Sequence, residues 1–260
     1  MRIATWNING VKARLETAPA WLAESSPDIV CFQEIKSVDE AFPAEPFERL
    51  GYNVVTHGQK GFNGVALLSK LPFDEVTRGL PGDDTDVQSR YIEAVVSTPQ
   101  GALRVASIYL PNGNPIDTDK FPYKLAWMRR LRAHAASLLA LEERTLLCGD
   151  YNVIPEPEDC FDPRAWMGDA LYQPESRAAW RTLLNDGWTD CLRAVDGRPG
   201  RYTFWDYQAG ARQKNWGIRI DHILASPQAA DRLRGVAIED HVRDWDKPSD
   251  HVPVVGTFDL

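Results

Sequence analysis

The run Thr145-Leu-Leu-Cys-Gly-Asp-Tyr-Asn152 constrains the fold of this chain more than any other stretch. Leu146, Leu147 and Cys148 form a short apolar run, as expected of a strand buried on both faces. Gly149 lets another backbone approach closely. Asp150 and Asn152 follow at a spacing of two, which in extended chain puts both side chains on one face just past the strand. A carboxylate and a carboxamide sharing one pocket wall can activate a water and stabilise an anion. An isolated Asp-x-Asn more often bonds only its own backbone in a turn. The catalytic reading gains weight because other strand ends carry the same kind of residue.

Residues 2–9 alternate, with Ile3, Thr5, Asn7 and Asn9 on one face and Ala4, Trp6 and Ile8 on the other, before Gly10 ends the strand. Ile29-Val-Cys-Phe-Gln-Glu34 reads as a buried strand ending in a carboxylate. Residues 91–98 and 103–110 read as a hairpin whose second strand leads into Tyr109-Leu-Pro-Asn112. Gly217-Ile-Arg-Ile-Asp-His-Ile-Leu224 carries Asp221 within an apolar strand, and Lys247-Pro-Ser-Asp-His251 precedes a terminal strand over 252–258. A Gly-rich turn feeds a strand near 64–69 without the spacing of a nucleotide-binding loop. Leu125, Met128, Leu131, Ala135 and Leu138 recur at spacings of three and four, which predicts a long helix over 120–142. A second helix is expected near 175–186, an irregular surface stretch over 155–174, and an aromatic strand-like segment over 201–207. Strands in tandem with few helices predict an α/β chain of two packed sheets with helices outside, in one domain over 1–260.

Composition narrows the partners. The formal net charge is -8, from 37 acidic and 29 basic residues, which argues against holding nucleic acid by bulk electrostatics. A local basic rim around an acidic, metal-filled site remains compatible with that balance. Hydrophobic content of 43% and nine Trp supply a large core without disulfides. Cys31, Cys148, Cys160 and Cys191 show no C-x-x-C spacing and read as buried thiols of a reducing compartment. Met1-Arg-Ile-Ala-Thr-Trp-Asn7 reads as a strand rather than a signal peptide, and no apolar run approaches the length of a membrane span. The expectation is a cytoplasmic monomer with no membrane partner.

The positions collected from the strand ends are Asn7, Asn9, Glu34, Tyr109, Asn112, Asp150, Asn152, Asp221, Asp250 and His251. All are oxygen donors or amides except one imidazole, so a zinc site of the usual thiolate or multi-histidine kind is not expected. Hard oxygen ligands point to Mg²⁺ or Mn²⁺. No Ser or Cys nucleophile motif is present, which leaves water as the nucleophile and a phosphate ester as the electrophile.

Six motifs carry a resemblance. Trp-Asn-Ile-Asn-Gly at 6–10, Gln-Glu at 33–34, Gly-Val-Ala-Leu-Leu-Ser at 64–69, Gly-Asp-Tyr-Asn at 149–152, Arg-Ile-Asp at 219–221 and Ser-Asp-His at 249–251 resemble the exonuclease III family of apurinic/apyrimidinic (AP) endonucleases, bacterial type, within the endonuclease/exonuclease/phosphatase superfamily. Any one motif is weak; six in the family's order across essentially the whole chain are specific. The resemblance implies a DNase I-like four-layer α/β sandwich, two packed mixed β-sheets flanked by helices. It also implies Mg²⁺-dependent hydrolysis of DNA phosphodiesters, with Mn²⁺ as a substitute, acting on double-stranded DNA with abasic sites or blocked 3′ ends. The activities implied are incision 5′ to abasic sites, 3′→5′ exonuclease, and removal of 3′-phosphates and other 3′-blocking groups.

The resemblance also assigns roles. Glu34 resembles the principal metal ligand, with Asn7 beside it and Asp250 as a further carboxylate; Asp150 and Asn152 are additional candidates near the ion. Asp150 resembles the residue that positions or deprotonates the attacking water, and Asn152 would donate to the phosphate or hold that carboxylate. Tyr109 would act as a hydrogen-bond donor or as phenolate. Asp221 resembles the orienting partner of His251, whose charged form would stabilise phosphate charge. Phe204, Trp205 and Ile218 occupy positions that line the family's pocket for a flipped-out abasic sugar; eukaryotic members typically have Trp where this chain has Ile218. Asn9, Arg90, Asn112, Lys120, Lys124, Arg212 and Lys214 are candidate substrate contacts. The loop over 111–120 lacks the Arg with which the human-type enzyme reaches into the duplex.

Two other functions compete. Another phosphoesterase of the superfamily, a nonspecific nuclease or an inositol or sphingolipid phosphatase, would share the Asn, Glu, Asp-x-Asn and Asp-His core. A catalytically silent DNA-binding module would have no need of that set.

Overall fold

Each inner strand of this chain is apolar on both sides, and the structure gives every such strand two layers to pack against. The computed structural model describes residues 1–260. Its strands are β1 (Arg2–Asn7), β2 (Ile29–Gln33), β3 (Asn53–His57), β4 (Val65–Ser69), β5 (Glu75–Arg78), β6 (Tyr91–Thr98), β7 (Gly101–Tyr109), β8 (Arg144–Asp150), β9 (Thr189–Asp190), β10 (Asp221–Ala225), β11 (Leu233–Ile238) and β12 (Val254–Phe258). The helices are α1 (Thr17–Ser25), α2 (Glu45–Glu48), α3 (Lys120–Leu139), α4 (Pro174–Asn185), α5 (Cys191–Val195), α6 (Ala211–Lys214) and α7 (Pro227–Ala230). One sheet has the order β11-β12-β1-β2-β4-β3 and the other β5-β6-β7-β8-β10-β9. Both are mixed, because β1 and β2 pair in parallel, as do β7 and β8, while the other pairs are antiparallel.

Alternation along the strands separates three apolar layers. Between the sheets, Ile3, Ile29, Cys31 and Leu67 meet Ile92, Val105, Leu146, Cys148 and Ile223. On the outer face of the first sheet, Trp6, Val30 and Phe32 pack on Trp21 and Leu22 of α1 and Phe47 of α2. On the outer face of the second, Tyr91, Ala106, Ile108 and Leu147 receive Trp127, Met128 and Leu131 of α3 and Trp180 and Leu183 of α4. The result is the expected four-layer α/β sandwich. All four cysteines are buried and unpaired. No helix is long and apolar enough to cross a membrane.

The main departures from the sequence reading lie at weakly apolar segments. Strands β3, β5 and β11 have no counterpart in the sequence reading, because they lie at sheet edges and are only partly buried, with little alternation to reveal them. Residues 201–207 do not form a strand: Phe204 makes only isolated bridges, one to Ile218 and one to His251. The long helix ends at Leu139 rather than 142.

Gly149 shows why the β8 run is so constrained. It sits opposite Ile108 in the parallel register that also pairs Tyr109 with Asp150. A Cβ at Gly149 would overlap the Ile108 carbonyl, which is backbone and cannot swing aside. Gly149→Ala should therefore force β7 from β8 and lower stability by at least about 2 kcal/mol. Thermal unfolding would read this as a clear fall in Tm, and an unchanged Tm would show that the two strands can separate freely.

Candidate active site

Strand register delivers the polar residues to one end of the sandwich. Tyr109 and Asp221 both pair with Asp150, one across the parallel β7–β8 ladder and one across the antiparallel β10–β8 ladder. Three side chains from three strands therefore stand side by side. In the facing sheet Asn7 pairs with Gln33, and Glu34 follows immediately. The chain then turns sharply: Asn9, Glu34 and Asn152 have φ of 46°, 49° and 47°. Asn tolerates this left-handed backbone, whereas for Glu it is uncommon, and such strain concentrates at functional sites.

One carboxamide joins the two sheets. Asn7 Nδ2 donates to Glu34 Oε1 and to Asp150 Oδ2, both at 2.9 Å. The other oxygen of Asp150 accepts the Asn152 backbone N–H at 2.9 Å, so the ordinary Asx turn is present and serves to aim the carboxylate. The Asn152 side chain is engaged differently from either expected role. Its Nδ2 donates to the Leu110 carbonyl at 2.8 Å, and its Oδ1 accepts from Asn112 at 3.1 Å. Asn152 thus holds Asp150 through its main chain.

His251 Nδ1 lies 2.9 and 3.1 Å from the two oxygens of Asp221, and its Nε2 is 3.8 Å from Asp150 Oδ2. Asn9 donates to Asp250 Oδ1 at 3.0 Å, while Lys36 pairs with Glu34 Oε2 at 3.1 Å. Two further supports sit beneath the site. Gln33 Nε2 donates to Ser107 across the sheet interface, and Ser249 Oγ donates to the Asn7 carbonyl at 2.7 Å. Both belong to quoted motifs, Gln-Glu and Ser-Asp-His, but their bonds to distant strands leave no trace in sequence.

The electrostatics divide the site into an acid and bases. Burial raises the Asp150 carboxyl, Asp221 adds to the rise, and His251 and Asn7 only partly oppose it, leaving it at about 7. Burial acts to lower His251, but Asp221 and Asp150 outweigh it and lift the imidazole to about 10. Glu34 is only partly buried; burial acts to raise it, yet the Asn7 hydrogen bond and the Lys36 and His251 charges hold it below the usual carboxylate range. Burial, then Glu34 and Asp150, push the Tyr109 phenol well above its ordinary value.

These residues line a cavity of about 240 Å³, smaller than the roughly 300–1,000 Å³ of drug-sized ligand sites. Glu34, Tyr109, Asn112, Asp150, Asn152, Asp250, His251, Phe204 and Ile218 all face it. Trp166, Asp169, Leu171, Asp206 and Ile220 line it too, and sequence reasoning missed them. Trp166, Asp169 and Leu171 come from the irregular stretch after β8, where no periodicity marks a side chain as inward. That stretch is anchored by buried Arg219, whose Nε and Nη1 reach Asp159 and Asp190 at 2.7 and 2.8 Å.

Several expected substrate contacts sit elsewhere. Trp205 does not line the cavity. Successive residues in extended chain face opposite ways, so Phe204 faces the pocket while Trp205 is buried in the outer core, its indole donating to Asn215. Lys124 is fully buried, donating to the carbonyls of Asn112 and Asn152 at 3.0 and 2.5 Å, and is therefore unavailable to DNA. Desolvation lowers it to about 7. Arg212 is paired with Asp240 and Asp244. Arg90 lies at the rim with its guanidinium 4.9 Å from the Tyr109 ring centroid, and Lys120 and Lys214 are exposed but outside the cavity. Asn9 braces Asp250 from outside it.

The donor set fits a divalent cation. Ligand atoms of Glu34, Asp150 and His251 lie within 4.8 Å of one another; with His251 held as a cation, the donors left to a metal are carboxylate and amide oxygens, which suit a hard divalent ion.

Comparison with known proteins agrees with this geometry. Residues 4–251 match the endonuclease/exonuclease/phosphatase family. The chain is 36% identical to exodeoxyribonuclease III of Haemophilus influenzae, over 99% of this chain and 100% of that one. An AP endonuclease from Archaeoglobus fulgidus superposes with a TM-score of 0.94 at 37% identity, covering 100% of both chains. A 3′ phosphatase from Neisseria, solved bound to a product DNA hairpin, gives 0.95 at 37% identity, again over 100% of both. Full-length similarity in sequence and fold, with four of the six motifs lining one cavity and Asn7 of a fifth bonded to two of its carboxylates, makes this chain a member of the endonuclease/exonuclease/phosphatase family.

Proposed function

We propose that the protein is a Mg²⁺-dependent DNA repair nuclease. It hydrolyses phosphodiesters by in-line attack of water, incises 5′ to abasic sites, and also has 3′→5′ exonuclease and 3′-phosphatase activity. One observation carries this reading: a buried carboxylate at the end of β8 and an Asp-paired imidazole from the segment before β12 face a small cavity whose wall also bears Glu34. Relatives named exodeoxyribonuclease III, AP endonuclease and 3′ phosphatase support the substrate class. A lipid or inositol phosphatase has no comparable support. The chain works as one domain and as a monomer, and its unpaired thiols suit the cytoplasm.

The division of labour follows from the electrostatics. Glu34, with Asn7 and Asp250 beside it, would hold Mg²⁺, or Mn²⁺ in its place. A bound ion supplies Lewis-acid polarisation of the phosphate and neutralises the leaving 3′-oxygen. Asp150, at about 7, is a base matched to neutral pH and takes the proton of the attacking water. Tyr109 keeps its proton and donates to the phosphate. His251 stays cationic, held in place by Asp221, and offers Nε2–H to the phosphate oxygens. Phe204 and Ile218 form an apolar wall that admits a baseless sugar and rejects a full nucleotide on size.

Four outcomes test these roles. Asp150→Asn keeps the shape but not the basicity, so kcat on an abasic duplex should fall at least about 100-fold while DNA affinity stays within a few-fold. Normal turnover in that variant would remove Asp150 from the chemistry. Glu34→Gln should raise the Mg²⁺ concentration giving half-maximal cleavage, and an identical titration would contradict the ligand role. Turnover should rise as pH passes about 7, where Asp150 becomes a base, and fall near 10, where His251 loses its charge. Asp221→Asn removes the neighbour that most favours the cation. The alkaline limb of the kcat profile should then move to lower pH, and a limb that stays put would refute the pairing.

A further inference from the structure

Phe161 and Trp216 form an exposed aromatic pair beside the pocket that the reaction as described does not use. They are 36% and 42% exposed, and their rings stack at 5.6 Å between centroids with an interplanar angle of 16°. Stacked side by side, the two rings form one continuous, partly exposed aromatic surface rather than two scattered side chains. The pair is continuous with the pocket wall. Phe161 N–H donates to the Gly217 carbonyl at 3.1 Å, and the preceding Cys160 bridges to Ile218. The Trp216 N–H is itself fixed to the Ala211 carbonyl at 2.8 Å. A cation completes the surface, because Lys214 Nζ lies 4.2 Å from the Trp216 ring centroid.

We propose that Phe161 and Trp216 form a stacking shelf for the nucleobase adjoining an abasic sugar. This rests on the nuclease reading given above. A base next to an abasic site has lost one stacking partner, so one of its faces is free. Trp216 stands two residues before Ile218, and Cys160, next to Phe161, bridges Ile218, so a bare sugar set against Ile218 would bring its neighbouring base to the side of the pocket where the shelf lies; an aromatic surface without sequence preference can replace the missing neighbour. The Trp216 ring carries Phe161 and the Lys214 ammonium; Lys214 would swing from the indole to the adjacent phosphate as the base arrives, which leaves that ring face to the base and gives the shelf the pairing of aromatic ring and cation used for unstacked nucleic acid.

The test uses the full-length enzyme with EDTA, so that nothing is cut. The probe is a duplex carrying an abasic-site analogue with 2-aminopurine as its neighbour. Wild type should quench the 2-aminopurine on binding. Trp216→Ala should weaken binding roughly ten-fold, the size expected for one lost stack, and restore the fluorescence, whereas Trp216→Phe should keep most of both. Leu141→Ala, a change at another exposed apolar residue remote from the pocket motifs, serves as the control and should bind as wild type does. Equal affinity and equal quenching in Trp216→Ala would overturn the shelf. So would a change in oligomeric state on sizing with DNA binding intact, which would make the pair a contact between copies of the chain. A parallel cleavage assay with Mg²⁺ keeps the two ideas apart: wild type that quenches the probe but never cuts it would reject the nuclease reading and leave the shelf standing.

Discussion

The Asn7 carboxamide is the contact on which the site depends. Glu34 belongs to one sheet and Asp150 to the other, and two carboxylates brought this close repel each other. A single NH₂ group carries two donors in a fixed plane, and Asn7 gives one to each carboxylate. The same group therefore relieves the repulsion and sets the spacing of the two sheets at the point where chemistry occurs. Its own position is secured on all sides. β1 lies between β12 and β2, Ser249 bonds the Asn7 carbonyl, and the Trp6 indole bonds the His251 carbonyl at 3.0 Å.

Around that contact the charges are arranged unequally. Glu34 is flanked by Lys36 and held anionic, while Asp150 is buried without a close cation other than His251. Two carboxylates of the same cavity thus differ in basicity because of their surroundings, which is how one site supplies both a cation-holding group and a proton acceptor. Buried Lys124, lowered to about 7 by desolvation, ties the loops after β7 and β8 through two carbonyls. The positive charge that an acidic chain turns toward a phosphate here is carried by His251, with Lys36 beside Glu34.

The pocket wall depends on a second anchor. Arg219, fully enclosed, joins Asp159 and Asp190 to the start of β10. It thereby holds the irregular stretch that contributes Trp166, Asp169 and Leu171. Because the anchor lies between Ile218 and Asp221 in the chain, the apolar wall and the partner of His251 are positioned by the same few residues. The exposed Phe161–Trp216 pair extends that wall outward.

Sequence alone determined the strand-end chemistry and the layering. Apolar runs such as Leu146–Cys148 require two covering layers, and an Asp or Glu at either end of such a run emerges at a strand end, so Glu34, Asp150 and Asp221 were legible as local pattern. Phe204 and Trp205 were indistinguishable in composition, and only the direction of the backbone at 204 sent one ring to the pocket and the other to the core. Lys124 read as surface charge from its residue type, although it stands four and seven residues before Met128 and Leu131 on the buried face of the helix, where packing against Gly113 and the β8 exit enclosed it. Register, face and burial arise from contacts between residues far apart in the chain. A spacing of two or four carries no record of the partner across the sheet, and so the tertiary structure alone decided which of the chemically suitable side chains meet.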